Sequence, residues 1–183
     1  MRRWCRGWGR RGRLDWLSAE MGAQGDREEM DDDEVLGAHA AALEQLAAQV
    51  REAAVGEPGF VERVRAGLGT LVETLAHDPD LARLLFVEAR GLDSPRFRPY
   101  RRTVERFTAL LEAAGEGEVF EPMPPASTAR AVASGVIGTI SREVDGGRVA
   151  GLPRLAPELL FLALVPYVGS EVAAAEMRRW REG

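Results

Sequence analysis

Residues 125–169 read PASTARAVASGVIGTISREVDGGRVAGLPRLAPELLFLALVPYVG, and how this stretch folds decides the architecture of the rest. It divides into two helices, Ala126 to about Val144 and about Leu155 to Val168, with Asp145-Gly146-Gly147 as the stop and Leu152-Pro153 as the restart. The second helix carries Leu155, Leu159, Leu160, Phe161, Leu162, Leu164, Val165 and Val168, which leaves it no polar face. A helix that is apolar all round has to be covered all round. Its expected length, about 14 residues, falls short of the roughly 20 needed to span a bilayer, so the expected cover is protein and no membrane partner is expected. One side can pack on its own domain, and a second copy of the chain is the most economical cover for the other. The first helix suits that arrangement, because Ala129, Ala133, Ser134, Gly135 and Gly138 among Val132, Val136, Ile137 and Ile140 form a small-residue surface that admits a close neighbour. The pattern predicts a homodimer with Val132, Val136, Ile140, Leu159, Leu162 and Val165 at its interface. The alternative is a central hairpin buried in a monomeric bundle.

Outward from this hairpin, the chain has room for one sizeable core in its 183 residues. All 24 basic residues are Arg, and the net charge of -5 gives the whole chain no attraction for nucleic acid or an acidic membrane surface. The charge is unevenly placed. Residues 1–13 hold six Arg and no acid, residues 15–34 hold nine acids and one Arg, and the remainder is near neutral. The single cysteine, Cys5, rules out an internal disulfide framework, and two histidines make no zinc cluster. No apolar stretch follows the Arg-rich start, so no secretory signal is read and a cytoplasmic protein is expected.

Residues 1–33 show neither a 3.6 nor a 2 periodicity. They read either as a basic arm with interleaved Trp or as a disordered or out-of-frame tail, with one short helix at Asp15–Met21. From residue 34 the character changes to Ala-rich helix. Leu36, Leu43, Leu46, Val50 and Ala53 repeat at helical spacing from the acidic start at Asp31–Glu34 to the Gly56-Glu57-Pro58-Gly59 stop. Phe60 to His77 follows with the stripe Val64, Leu68, Leu71, Val72 and Leu75. Asp78 or Asp80 can cap a third helix, Leu81 to Arg90, and a fourth starts near Pro95 and presents Phe97, Tyr100, Val104, Phe107, Leu111 and Ala114. Gly115–Pro125 is a loop, and a last amphipathic helix lies beyond Gly169. No stretch reads as a strand, and the expectation is an all-α bundle of about seven helices.

Catalytic signals are weak: there is no Gly-rich phosphate loop, no metal-ligand pair and no nucleophile elbow. His39 lies among alanines, His77 closes the second helix, and both read as structural. Glu88 reads as a partly buried carboxylate that pairs with Arg96, Arg98, Arg101, Arg102 or Arg106, or else with a ligand cation. No catalytic residue, metal or cofactor is expected. Thr70, Thr74 and Thr103 with Phe86, Tyr100 and Phe107 have the mixed character of an apolar pocket with a few orienting polar groups. Gly67 and Gly69 inside a helix make room either for a ligand or for a neighbouring helix.

The run FVERVRAGLGTLVETLAHDPDLARLLFVE at residues 60–88 resembles the start of the effector-binding domain of TetR-family transcriptional regulators. The run from Ala129 to Gly169 resembles that family's dimer-forming helix pair, with Asp-Pro-x-Leu-Ala-Arg and Pro-Tyr-Val-Gly as the local phrases. The resemblance covers residues 34–182 and implies a repressor's ligand-sensing and dimerisation domain. Its small hydrophobic or aromatic effector would be walled by Leu71, Thr74, Phe86, Tyr100, Thr103 and Phe107. The departure is at the start, where the resemblance leads one to expect a helix-turn-helix that ends on a Tyr-x-x-Phe-x-x-Lys-x-x-Leu type phrase. Residues 1–33 have neither its length nor its phrase, so operator binding is not expected of the chain as written. Outside this family, the composition also suits a dimeric helical scaffold with no effector.

Overall fold

The computed structural model describes residues 32–87 and 99–182. Leu36, Leu43, Leu46 and Val50 recur every three or four residues or a multiple of that, and they form the buried side of α1 (Asp32–Ala54). Gly56 ends the run in a left-handed conformation, φ +86°, which a residue without Cβ adopts at little cost. α2 (Phe60–His77) buries Phe60, Val64, Leu68, Leu71, Val72 and Leu75 and lies between α1 and the C-terminal helix. Asp78 then caps α3 (Pro79–Phe86): its carboxylate accepts from the Leu81 amide at 2.9 Å while Pro79 occupies a first-turn position that lacks a partner for an N–H anyway. The described part of this helix ends at Phe86. The expectations for Glu88, Phe97, Arg96 and Arg98 and for everything in residues 1–31 lie outside the described residues.

α4 (Pro99–Ala114) packs on α1 and on α5 (Thr128–Asp145). The α5 C-terminus closes as the sequence suggests. The amides of Gly146, Gly147 and Arg148 take the carbonyls of Arg142, Val144 and Glu143 at 3.0, 3.0 and 2.8 Å, and Gly147 is left-handed. A 3-10 turn, Val149–Gly151, leads into α6 (Leu152–Glu182). Among the described residues there are six α-helices and no strand, so the fold is an all-α bundle.

The last helix corrects two expectations. It begins at Leu152, not near Leu155, because Pro153 is tolerated in a first turn. It also continues to Glu182, so it is longer than the expected helix, and by length and composition alone it could cross a membrane. The helix is not a straight rod, however. Gly169 leaves helical geometry at φ 80°, ψ 166°, and Glu158 forms a salt bridge with Arg181. In a straight helix those two residues would stand roughly 35 Å apart at 1.5 Å per residue. Residues 170–182 therefore turn back along residues 152–168, and Gly169 acts as the boundary the sequence marks.

The returning arm is fixed to α2. Trp180 covers Gly69, where a Cβ would sit 3.6 Å from the indole, and buried Glu176 pairs with Arg65 and Arg179. At the other end of α2, Phe60, Phe120 and Tyr167 form a ring cluster with centroids 4.7–5.2 Å apart. Burial, with Glu112 adding to it, raises the Tyr167 pKa. Leu46, Leu75, Ile137, Ile140, Leu152, Leu160 and Leu164 are wholly enclosed and form the centre of the core.

Candidate ligand-binding cavity

Beside this core lies a cavity of about 400 Å³, within the size range of small-molecule sites. Its walls come from five helices. α1 supplies Val50 and Ala54; α2 supplies Val64, Gly67, Leu68 and Leu71; α4 supplies Phe107, Leu110 and Leu111. α5 contributes Val132, Ala133, Val136 and Ile137, and α6 contributes Ala163. Every one of these side chains is apolar. Gly67 shapes the wall where α1 and α2 come closest, since a Cβ there would lie 3.2 Å from Val50 Cγ1 and 3.5 Å from the Val50 carbonyl oxygen. The two glycines thus separate in role: Gly67 serves the cavity wall and the α1–α2 approach, and Gly69 serves Trp180.

One end of the cavity reaches solvent at the α1–α2 turn, where Val55 is 76% exposed and Arg51, Gly56 and Glu57 form the rim. Arg63 braces the same end. Its Nη1 donates to the carbonyls of Ala114 at 2.7 Å and Glu116 at 3.3 Å, and its Nη2 pairs with the Glu118 carboxylate. This clamp ties the C-terminus of α4 and the following loop to the first turn of α2, so the mouth has fixed edges.

Of the six side chains expected to wall a pocket, Leu71 and Phe107 line this cavity and four do not. Phe86 is buried in the core between helices. Thr103 is fully buried but satisfied: its hydroxyl donates to the Pro99 carbonyl at 3.1 Å and lies 3.5 Å from His39 Nε2. Thr74 donates to Gln49 Oε1 at 3.5 Å, away from the wall. Tyr100 is 41% exposed, and its hydroxyl stands over Gly138, 3.7 Å from where a Cβ would be. Sequence reasoning missed Val50, Ala54, Leu110, Leu111 and Ala133, and only Gly67 among the wall residues outside the expected set gave a local signal of spare room.

The expected dimer residues also divide. Val132, Val136, Ile140 and Leu159 are buried within the protomer, and Val132 and Val136 line the cavity, so these four cannot present a surface to a second copy. Leu162 is 40% exposed and Val165 half-buried, which leaves those two on the outer side. Leu162 lies against Gly135, with Cδ2 3.2 Å from a Cβ position there.

His39 is buried where α1 meets α3 and α4. Loss of water around the ring lowers its pKa below the ordinary 6.5 and Arg102 lowers it further, against the opposing hydrogen bond to the Leu85 carbonyl. His77 Nδ1 lies 2.7 Å from the Glu73 carbonyl oxygen on the surface. No cluster of three metal-ligating side chains occurs among the described residues. Compared with family models, curated proteins and solved structures, the chain matches none of them.

Proposed function

We propose that residues 32–182 form a ligand-sensing and dimerising regulatory domain of the TetR type, whose effector is a small apolar or aromatic molecule held between α1, α2, α4 and α5. The observation that carries this reading is the cavity itself, about 400 Å³ with apolar walls and one polar end open to solvent. A packed core has few voids larger than a water molecule, so a volume of this size is a feature of the fold's use rather than of its stability. Pairing is assigned to the outer side of α5 and α6. There Leu162, 40% exposed, accompanies half-buried Phe161, Val165 and Val168, with small Ser134 and Gly135 beside it. The reading places sensing and pairing on these residues and no contact with DNA.

A thermal-shift screen with hydrophobic ligands tests the sensing half. At least one stabiliser is expected, since a ligand at 100 times its dissociation constant adds about 2.7 kcal/mol. Its shift should disappear in Phe107→Arg, which sets a cation in the wall. A screen in which nothing stabilises the protein favours the effector-free scaffold. Light scattering tests the pairing half. A dimer is expected for the unmodified chain and a monomer or precipitate for Leu162→Glu, because that variant places an unpaired charge in the contact; a monomeric parent protein contradicts the assignment.

A further inference from the structure

The cavity's charged edge identifies the chemical class of its occupant. We infer that the ligand is an amphiphilic anion, with its apolar body between α2, α4 and α5 and a carboxylate at Arg51. This rests on the reading of the cavity as a ligand site. Three charged side chains line the cavity: Arg51, Glu57 and Arg63. Arg63 is committed to two carbonyls and to Glu118, and its charge is balanced there. Arg51 has no such commitment. It stands in the last turn of α1, its side chain is exposed, and no hydrogen bond or ion pair joins it to any of the described residues. It adjoins Val50 and lies one turn before Ala54 and Val55, so its methylene stem borders the apolar wall while its guanidinium reaches the open end.

Glu57 is the competing feature, because it would favour a cationic head. It lies past left-handed Gly56 in the turn, and with Arg63 balanced by Glu118 it stands one against one with Arg51, which sits on the helix that supplies the apolar wall. A guanidinium is also the better partner in a half-dry site: it is weakly hydrated, planar, and offers paired N–H donors that match a carboxylate's two oxygens. The protein's overall charge of -5 works the other way and repels anions at long range. Any preference for an anionic head must therefore arise locally, which makes the preference diagnostic.

The test compares decanoate, 1-decanol and decylamine, which share one chain and differ in the head, by calorimetric titration and thermal shift of the full chain at low salt. Decanoate should bind on the order of tenfold tighter than decanol, as a charge-assisted hydrogen bond allows. That advantage should shrink in about 1 M NaCl, where the screening length falls to about 3 Å. Arg51→Gln, a change on an exposed side chain, should bring decanoate down to the affinity of decanol, with an unchanged circular dichroism spectrum showing that the variant folds. Equal binding of decanoate and decanol or tighter binding of decylamine overturns the anionic head, a decanoate preference that survives in Arg51→Gln overturns its placement at Arg51, and each leaves the cavity reading intact. Failure of all three compounds to bind overturns the cavity reading itself.

Discussion

The two ends of the helical bundle are built from similar residues and come out differently. At one end His39, Leu75, Phe86 and Thr103 are packed with almost no exposure, and the hydroxyl and ring of the polar pair meet each other and nearby carbonyls. At the other, Val50, Gly67, Leu111 and Ala133 surround open space. The difference lies in side-chain volume on facing helices. Ala54, Gly67, Ala133 and Ala163 are small residues on four different helices that all line the cavity, and together they leave it unfilled. One end is filled by its own side chains and the other is left open.

The comparison breaks most visibly under truncation. Leu75→Ala at the closed end should destabilise the protein by about 2–5 kcal/mol in denaturant titration, because a wholly enclosed leucine leaves a new void. Leu110→Ala at the half-buried edge of the open end should cost less than that range, since it enlarges space that already exists. Equal losses at the two sites would mean that the ends are packed alike. Enlargement gives the converse. Ala82→Leu, placed against the closed core, should cost about 1–3 kcal/mol. Ala133→Leu should change stability by no more than about 1 kcal/mol in either direction and abolish the response to any stabilising ligand.

How much of this was legible in the sequence depends on whether the signal is local. Helix positions were legible because each one carries its own period and its own stops. Asp78-Pro79 marks the start of α3, Gly146-Gly147 the end of α5, and Gly169 the reversal within α6, since each of these acts through its immediate neighbours. The cavity was not legible, because it arises from small residues on helices far apart in the chain. Of the mixed Thr and aromatic set only Phe107 lines this cavity, and a buried Thr needs no ligand when its own helix supplies an acceptor, as Pro99 does for Thr103. Four of the six expected dimer residues are enclosed within the protomer for a related reason. A stripe such as Val132, Val136 and Ile140 marks a buried face without saying whether the protomer or a partner buries it, and here the protomer does.

The smallest expected effect belongs to His39, and it sharpens the account of the closed end. Its pKa in the folded protein lies below the ordinary 6.5, so the unfolded chain binds the proton more readily than the native one. The contribution to stability is therefore complete above about pH 6.5 and is lost as the pH falls below that value toward the folded pKa. The melting temperature should drop over this interval, and the drop should be shallower in His39→Gln. A parallel decline in the two proteins would show that the ring is not buried in neutral form.

Xenon binding is the most direct measurement, because an apolar-walled space takes up an apolar atom with no contribution from any head group. A crystal of the protein pressurised with xenon should show it between Val50, Leu68, Leu111 and Ala133, and none beside His39 and Thr103. Xenon absent from the first position, or found only at the second, would contradict the account of which end of this bundle is open.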